Sequence, residues 1–273
     1  MKTTICYFSG TGNSRHAADR LAEALAPAGL EPVVGLLASE RPVVDADTVG
    51  IVFPIHAFTL PHVVEDFLER VEMPNATYVF ALSTRECSGR VALRMDRLLR
   101  RRGRRLDSFY GVRGPQSYIA VFPAATADHA EAMDRKLDVV VPTIVDAVGR
   151  RSQTIPKDGL VLGIVAGTLL RLMTWIYRRT DSYHLADRFY SDDRCTGCGT
   201  CETVCLSGRI RIEESTPVWD RAPACLQCFA CLHYCPEQAV QIRSSRTERT
   251  GRFHFPGIGP KIIAEQKSPA AGG

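Results

Sequence analysis

The chain has 273 residues, 45 % of them apolar and 23 % charged, with a formal net charge of +4. That length can bury one or two cores. Residues 1–150 hold 18 basic and 18 acidic side chains, so no basic domain points to nucleic acid.

Ile5–Phe8 reads as a first strand and Ser9–Ser14 as a glycine-rich loop. Arg15–Ala26 has helical spacing, with Ala18, Leu21, Ala22 and Leu25 on one face. Strands are predicted at Pro32–Leu37, Val49–Pro54, Tyr78–Leu82 and Ser108–Val112. Helices are predicted at Val63–Val71, Val91–Arg102 and about Asp128–Val148, the last interrupted by Pro142. Strands alternating with helices imply an α/β fold with a parallel sheet covered on both faces. Five such strands suit the flavodoxin-like, doubly wound order 2-1-3-4-5. This domain is expected to cover residues 1–152, followed by an apolar helical connector over 153–185.

The connector holds the longest apolar run, Gly159–Leu170, which Arg171 separates from Leu172–Tyr177. It falls short of the ~20 residues that span a bilayer, so a buried or surface-lying helix is expected, with peripheral membrane contact left open. The N-terminal stretch lacks the charged-then-apolar pattern of a secretory leader. A cytoplasmic setting is therefore expected.

Eight of the ten cysteines lie in two runs, within a predicted α+β domain at 186–245. The first holds Cys195, Cys198, Cys201 and Cys205; the second holds Cys225, Cys228, Cys231 and Cys235. Both have the spacing C-x2-C-x2-C-x3-C of bacterial ferredoxins. One tight loop can supply three thiolates to a four-iron cube, and the fourth must come from elsewhere. In two-cluster modules the fourth cysteine serves the other cube. The expected quartets are therefore Cys195, Cys198, Cys201 and Cys235, and Cys225, Cys228, Cys231 and Cys205. Zinc knuckles need fewer thiolates than these runs supply. Disulfides belong to small secreted chains. Proline follows Cys235 as usual, but Leu206 follows Cys205, which can alter local hydrogen bonding to sulfur. The 246–273 tail, charged and loop-like, is expected to end in disorder over Ser268–Gly273.

The loop Ser9, Gly10, Thr11, Gly12, Asn13, Ser14 follows a strand and opens a helix. Backbone amides there, backed by the helix dipole, suit an anion. No lysine follows as in a P-loop, and the dinucleotide pattern is missing, so a monophosphate such as FMN fits. The alternative is a tight turn with a good N-cap and no ligand. Ligands in such sheets sit beyond the carboxyl ends of strands at the switch point. Two further segments are therefore candidates, Pro54, Ile55, His56, Ala57, Phe58 and on to Pro61, and Ser83–Gly89, in which Thr84, Arg85 and Gly89 are singled out. His56 or Phe58 could stack on the flavin ring. Cys6 is expected in the core and Cys87 as an incidental thiol. Seven arginines between Arg94 and Arg105 read as a solvated face, or as a docking patch for an acidic redox partner. His184, His233 and His254 read as surface or packed residues.

These residues resemble the flavodoxin–ferredoxin fusion family (EFR-type ferredoxins). The resemblance is carried by Tyr7–Ser14, Phe53–Pro61, the two cysteine runs and Arg252-Phe253-His254-Phe255-Pro256, and covers about residues 3–263. It implies FMN on the N-terminal domain and two [4Fe-4S] clusters on the C-terminal module. Ser9, Thr11, Gly12, Asn13 and Ser14 would hold the phosphate, and the 54–61 and 83–89 loops the ring, without the Trp and Tyr sandwich of flavodoxins. The expected function is an electron relay coupling one- and two-electron steps between redox protein partners. Two alternatives stand beside it. One is an FMN-dependent reductase of a small organic substrate whose flavin the clusters refill. The other is a ferredoxin tethered to a flavin-free interaction domain.

Overall fold

A computed structural model describes residues 2–26, 28–57, 59–85, 89–156 and 185–268. The N-terminal half runs β1 (Thr3–Tyr7), α1 (Asn13–Ala24), β2 (Ala28–Pro32), α2 (Val33–Leu36), β3 (Thr48–Phe53), α3 (His62–Arg70), β4 (Tyr78–Ser83), α4 (Gly89–Arg101), β5 (Ser108–Gly111) and α5 (Ala127–Arg150). All five strands are parallel, in the order β2-β1-β3-β4-β5. This is the flavodoxin order. Every residue of β1, β3 and β4 is buried, because helices cover both faces of the sheet. α5 carries Pro142 in its interior without ending.

One strand differs from expectation. Pro32–Leu37 does not form the edge strand; β2 lies just before it, and Val33–Leu36 turns into a short helix. A four- or five-residue apolar run has no period that separates strand from helix. Pro32, which lacks an amide hydrogen, suits the position ahead of a helix. The predicted 159–177 helix, His184 and residues 269–273 lie outside the described residues. Among the described residues no helix is long and apolar enough to cross a membrane.

The C-terminal half contains β6 (Phe189–Ser191), α6 (Thr200–Val204), β7 (Ile210–Glu213), β8 (Thr216–Trp219), α7 (Ala230–His233), β9 (Val240–Ile242) and α8 (Pro260–Ala264). β6 pairs antiparallel with β9, and β7 with β8. The segment after 246 is not the loose tail expected. Phe253, Phe255, Ile258 and Ile263 are buried in the same cluster as the sheet residues Ile5, Val52 and Phe80, joined there by Leu206, Ala230 and Tyr234. A smaller cluster around Phe189, Phe229, Leu232 and Ile242 sits within the cysteine module and takes in Ile119 from the sheet half.

Several arginines of α4 and the turn after it have partners within the fold. Arg94 pairs with Glu65 at 3.3 Å and Arg100 with Asp96 at 2.7 Å, while Arg104 donates to the carbonyls of Met73 and Pro74.

Candidate cofactor site

The turn from β1 into α1 is the candidate anion cradle. Gly12 adopts φ +95° at the helix N-cap, a conformation side chains rarely tolerate, and its N–H donates to Ser9 Oγ at 3.1 Å. A cavity of about 350 Å3 opens in front of this turn. Its wall includes Ser9, Gly10, Thr11, Asn13 and Ser14, then Pro54, Ile55 and His56 beyond β3, then Thr84 and Arg85 beyond β4. Three strand ends expected to meet do meet. Gly12 and Ala57 lie off the cavity wall. Gly12 instead backs onto Phe255 and Ile258, Ala57 sits at φ 43° inside the His56–Thr59 turn, and Gly89 opens α4. Phe58, Cys87 and Ser88 lie outside the described residues.

Hydrogen bonds lock the wall. Ser14 Oγ and Thr84 Oγ1 are 2.9 Å apart, and Asn13 Nδ2 donates to the Pro115 carbonyl at 2.9 Å. Asn13 Oδ1 is buried with no partner among the described residues, so the cradle has an acceptor to spare. Burial and the nearby His62 hold the His56 imidazole neutral, its pKa lowered to about 4. Cys6 is fully buried in β1, its thiol pushed up by that burial, away from any chemistry.

Two parts of the wall escaped sequence reasoning. The first is Arg113 to Ser117, which leaves β5 beside the others; Val112 and Gly114 donate to Ser83 and Thr84, extending the pairing. The Gly114-Pro115 dipeptide marks a turn, and the order 2-1-3-4-5 puts that turn at the same sheet edge. The second is Cys228, a predicted cluster ligand that lines this same cavity. A methyl group on Gly10 would stand 2.0 Å from the Cys228 carbonyl oxygen and 2.9 Å from its Cβ, so the anion loop and the second cysteine run touch backbone to backbone.

The C-terminal segment closes the back of the cradle. Gln266 is fully buried; its Oε1 accepts from Ser9 N–H at 2.9 Å, and its Nε2 donates to Ser9 O at 2.8 Å. Phe255 N–H donates to Thr11 O at 2.8 Å. His233 is buried and neutral, donating from Nε2 to Ser117 O at 2.8 Å and accepting at Nδ1 from Phe253 N–H at 3.1 Å. The cysteine module is therefore bolted to the cavity wall from α7 and from the tail.

The eight cysteines gather as two sets. Cys195, Cys198, Cys201 and Cys235 line one cavity, and the Cys201 thiol, pushed up to about 11 by burial first, also feels the other three. Burial pushes Cys228 up to about 12 and Cys231 well above the usual range, with Cys225 and Cys205 adding to both. These are the interleaved quartets expected from the spacing. Cys231 also feels Cys201, so the sets adjoin. Among the described residues no three ligating side chains close in on a point that would hold a single ion, a tighter gathering than a cube requires. Backbone amides already point at sulfur, Gln227 N–H to Cys225 at 3.4 Å and Ala239 N–H to Cys235 at 3.2 Å. The loops have matched conformations: Gly197 and Gly199 in the first run, and Gln227 and Phe229 in the second, all take positive φ. The donor set, its grouping and its amides fit four-iron cubes, and iron binding there displaces protons from the buried thiols.

Residues 194–240 match the family of 4Fe-4S dicluster domains. Over 49 residues the chain is 39 % identical to a subunit of the ion-translocating oxidoreductase complex of Methanosarcina acetivorans, a match that covers 18 % of each chain. The chain thus spans about a fifth of the length of the curated relative it matches. Among solved structures, one from Bacteroides uniformis, provisionally described as a flavoprotein, aligns at 22 % identity over 41 % of this chain and 89 % of its own, with a TM-score of 0.30. A short-chain flavodoxin associated with a bacterial microcompartment aligns at 10 % identity over 52 % of this chain and 98 % of its own, also at 0.30. The fold assignment rests on the strand order itself. The chain joins a flavodoxin-like sheet to an iron–sulfur domain of the dicluster type.

Proposed function

We propose that this chain relays electrons between two [4Fe-4S] clusters and FMN, coupling one- and two-electron steps. The carrying observation is Cys228, which belongs to one cysteine quartet and lines the cavity of the anion loop. Amides of Gly10, Thr11, Asn13 and Ser14, with the Ser9, Thr11 and Ser14 hydroxyls, would hold the FMN phosphate, helped by the α1 dipole. Neutral His56 and the Arg113–Ser117 segment would border the ring. The clusters supply single electrons and the flavin accepts one or two; this chain's residues set the spacing, exclude water and supply hydrogen bonds.

Cys198 is exposed, whereas Cys228 is partly buried and lines the cavity. This favours the Cys195 quartet as the side that faces a redox protein partner, in keeping with a relative that belongs to an ion-translocating oxidoreductase complex. A second reading is reduction of a small organic molecule at the flavin. It is favoured by Arg85 and Arg113 on the wall, where no carboxylate lines the cavity among the described residues; such a site suits an anionic substrate.

The test is anaerobic purification with iron, sulfide and flavin quantification, followed by rapid mixing with a one-electron donor. About eight irons and one FMN per chain are expected, with cluster bleaching ahead of flavin bleaching. Colourless protein carrying stoichiometric zinc would overturn the reading.

A further inference from the structure

A separate cavity of about 410 Å3 opens between β6, β8 and the residue after β9, away from the anion loop. Three guanidinium groups line it, those of Arg209, Arg221 and Arg243, against one carboxylate, Asp187. Arg209 is only 3 % exposed, and its Nε has no hydrogen-bond partner among the described residues. The indole Nε1 of Trp219, in the same wall, is also buried without a partner. Arg221 and Arg243 stand exposed at the rim and form no ion pair among the described residues; Arg243 lies over the Tyr190 ring at 4.7 Å. Buried donors left unpaired are rare because each forfeits its hydration.

We infer that this cavity is a binding site for a small oxyanion, a phosphate or a carboxylate. Two of its wall residues, Arg209 and Trp219, each keep a buried N–H without a partner among the described residues, and the fixed charge of three arginines against one aspartate favours an anion. Planar guanidinium forks match paired oxygens better than ammonium groups do. Beyond Asp187, the neighbouring Asp220 is already taken by Arg211 at 2.6 Å.

The site is wired to the metal-binding set. Burial raises the Cys225 thiol pKa and the charge of Arg209 acts against that rise, so the guanidinium is felt at this sulfur. Arg209 sits four residues after Cys205, which belongs to the same quartet. An anion on Arg209 therefore offsets the positive charge that this sulfur feels. Adding an electron to the iron bound there and adding an anion to the cavity oppose each other. By linkage, an anion that binds the oxidised form tighter than the reduced form lowers the reduction potential. The binding claim is independent of the proposed electron relay, whereas this coupling rests on it.

The test uses full-length, anaerobically prepared protein saturated with FMN, so that the anion loop is occupied. Inorganic phosphate, and in a parallel arm succinate, is titrated by calorimetry at constant ionic strength set with chloride. One saturable site is expected in at least one arm, and the arm that binds tighter names the ligand source. Affinity should fall more than tenfold in the Arg221→Gln/Arg243→Gln double variant and be lost in Arg209→Met. If Arg209→Met does not load iron, the double variant decides, since it leaves the buried residue in place. The potential of the second cluster, followed by EPR, should fall with saturating anion, by 59 mV for each tenfold difference in affinity between redox states. No saturable binding, or unchanged affinity in the double variant, overturns the site. Binding without any shift in potential overturns the coupling. Failure of the iron–sulfur reading itself would appear separately, as protein without iron.

Discussion

Gly10→Ala tests the contact on which the proposed relay depends. The added methyl would lie 2.0 Å from the Cys228 carbonyl oxygen and 2.8 Å from its carbonyl carbon. Both are backbone atoms, so no rotamer change relieves the clash. Real Cβ contacts essentially never fall below 3.0 Å, so the anion loop and the second cysteine run must part by at least 1.0 Å. Neither can yield freely, because Gln266 holds Ser9 on one side and His233 ties the α7 end to Ser117 on the other. Overpacking of this kind costs about 1–3 kcal/mol. If the strain falls on the FMN-binding conformation, affinity drops about 5- to 150-fold. The assay is flavin fluorescence quenching on titration of the flavin-stripped, iron-loaded protein. Gly149→Ala in α5 is the control, since nothing lies within 4 Å of a methyl group there. FMN affinity and thermal stability both equal to those of the parent would refute the reasoning, because they would mean that loop and cysteine run are not in contact.

Gln266→Ala leaves the Ser9 N–H and C=O buried without partners, so a loss of about 2–4 kcal/mol in unfolding free energy and weakened FMN binding are expected, read by denaturant titration and flavin release. Cys205→Ser should remove a ligand from the quartet of Cys225, Cys228 and Cys231, and Cys235→Ser from that of Cys195, Cys198 and Cys201; EPR of each variant should show the loss in the opposite run from the one mutated. His56 is neutral in the folded protein at pH values where an unfolded histidine binds a proton, so the unfolded state takes up more protons between its ordinary value of 6.5 and about 4. Stability present above pH 6.5 is therefore lost as pH falls through that window, and His56→Gln should flatten the acid limb of the melting profile.

The parts legible in the sequence are those fixed by short-range rules. Cysteine spacing sets which thiols are expected to share a cube, and the same two sets of thiols feel one another in the fold. Periodicity located all the helices of the sheet domain that exceed two turns. What escaped depends on contacts between distant residues. Phe253, Phe255, Ile258 and Ile263 are spread among glycines and prolines with no strand or helix period, so their burial beneath the anion loop left no pattern to read. Gln266 looks like any polar residue of a tail until Ser9 is beside it. Gln227 and Phe229 were readable in principle: aligned on the first cysteine run they fall on Gly197 and Gly199, whose positive φ they must share. Phe229 accepts that conformation, at a cost of about 1–3 kcal/mol typical of such positions, while it packs against Phe189 and Tyr118.

Leu206 bears on the choice between relay and tether. Ferredoxin runs of this spacing carry proline after the fourth cysteine, as Pro236 does here. At 206 the chain has leucine instead, 4 % exposed and packed into the cluster that contains the sheet residues. A turn-shaping ring has been exchanged for a side chain that anchors the cysteine module to its neighbour, and Cys205 finds its hydrogen-bond partner in Ser207 at 3.6 Å. A tethered ferredoxin gains nothing from a shared core, since its partner search benefits from reach. A relay gains a fixed separation between its centres, one that does not fluctuate with a linker. The same logic explains why the tail returns to the anion loop: Phe255, Ile258 and Gln266 hold the loop to the module from behind, while Cys228 meets it from the side. With four residues attached around one six-residue turn, the geometry favours the proposed electron path built into a single body over a carrier on a string.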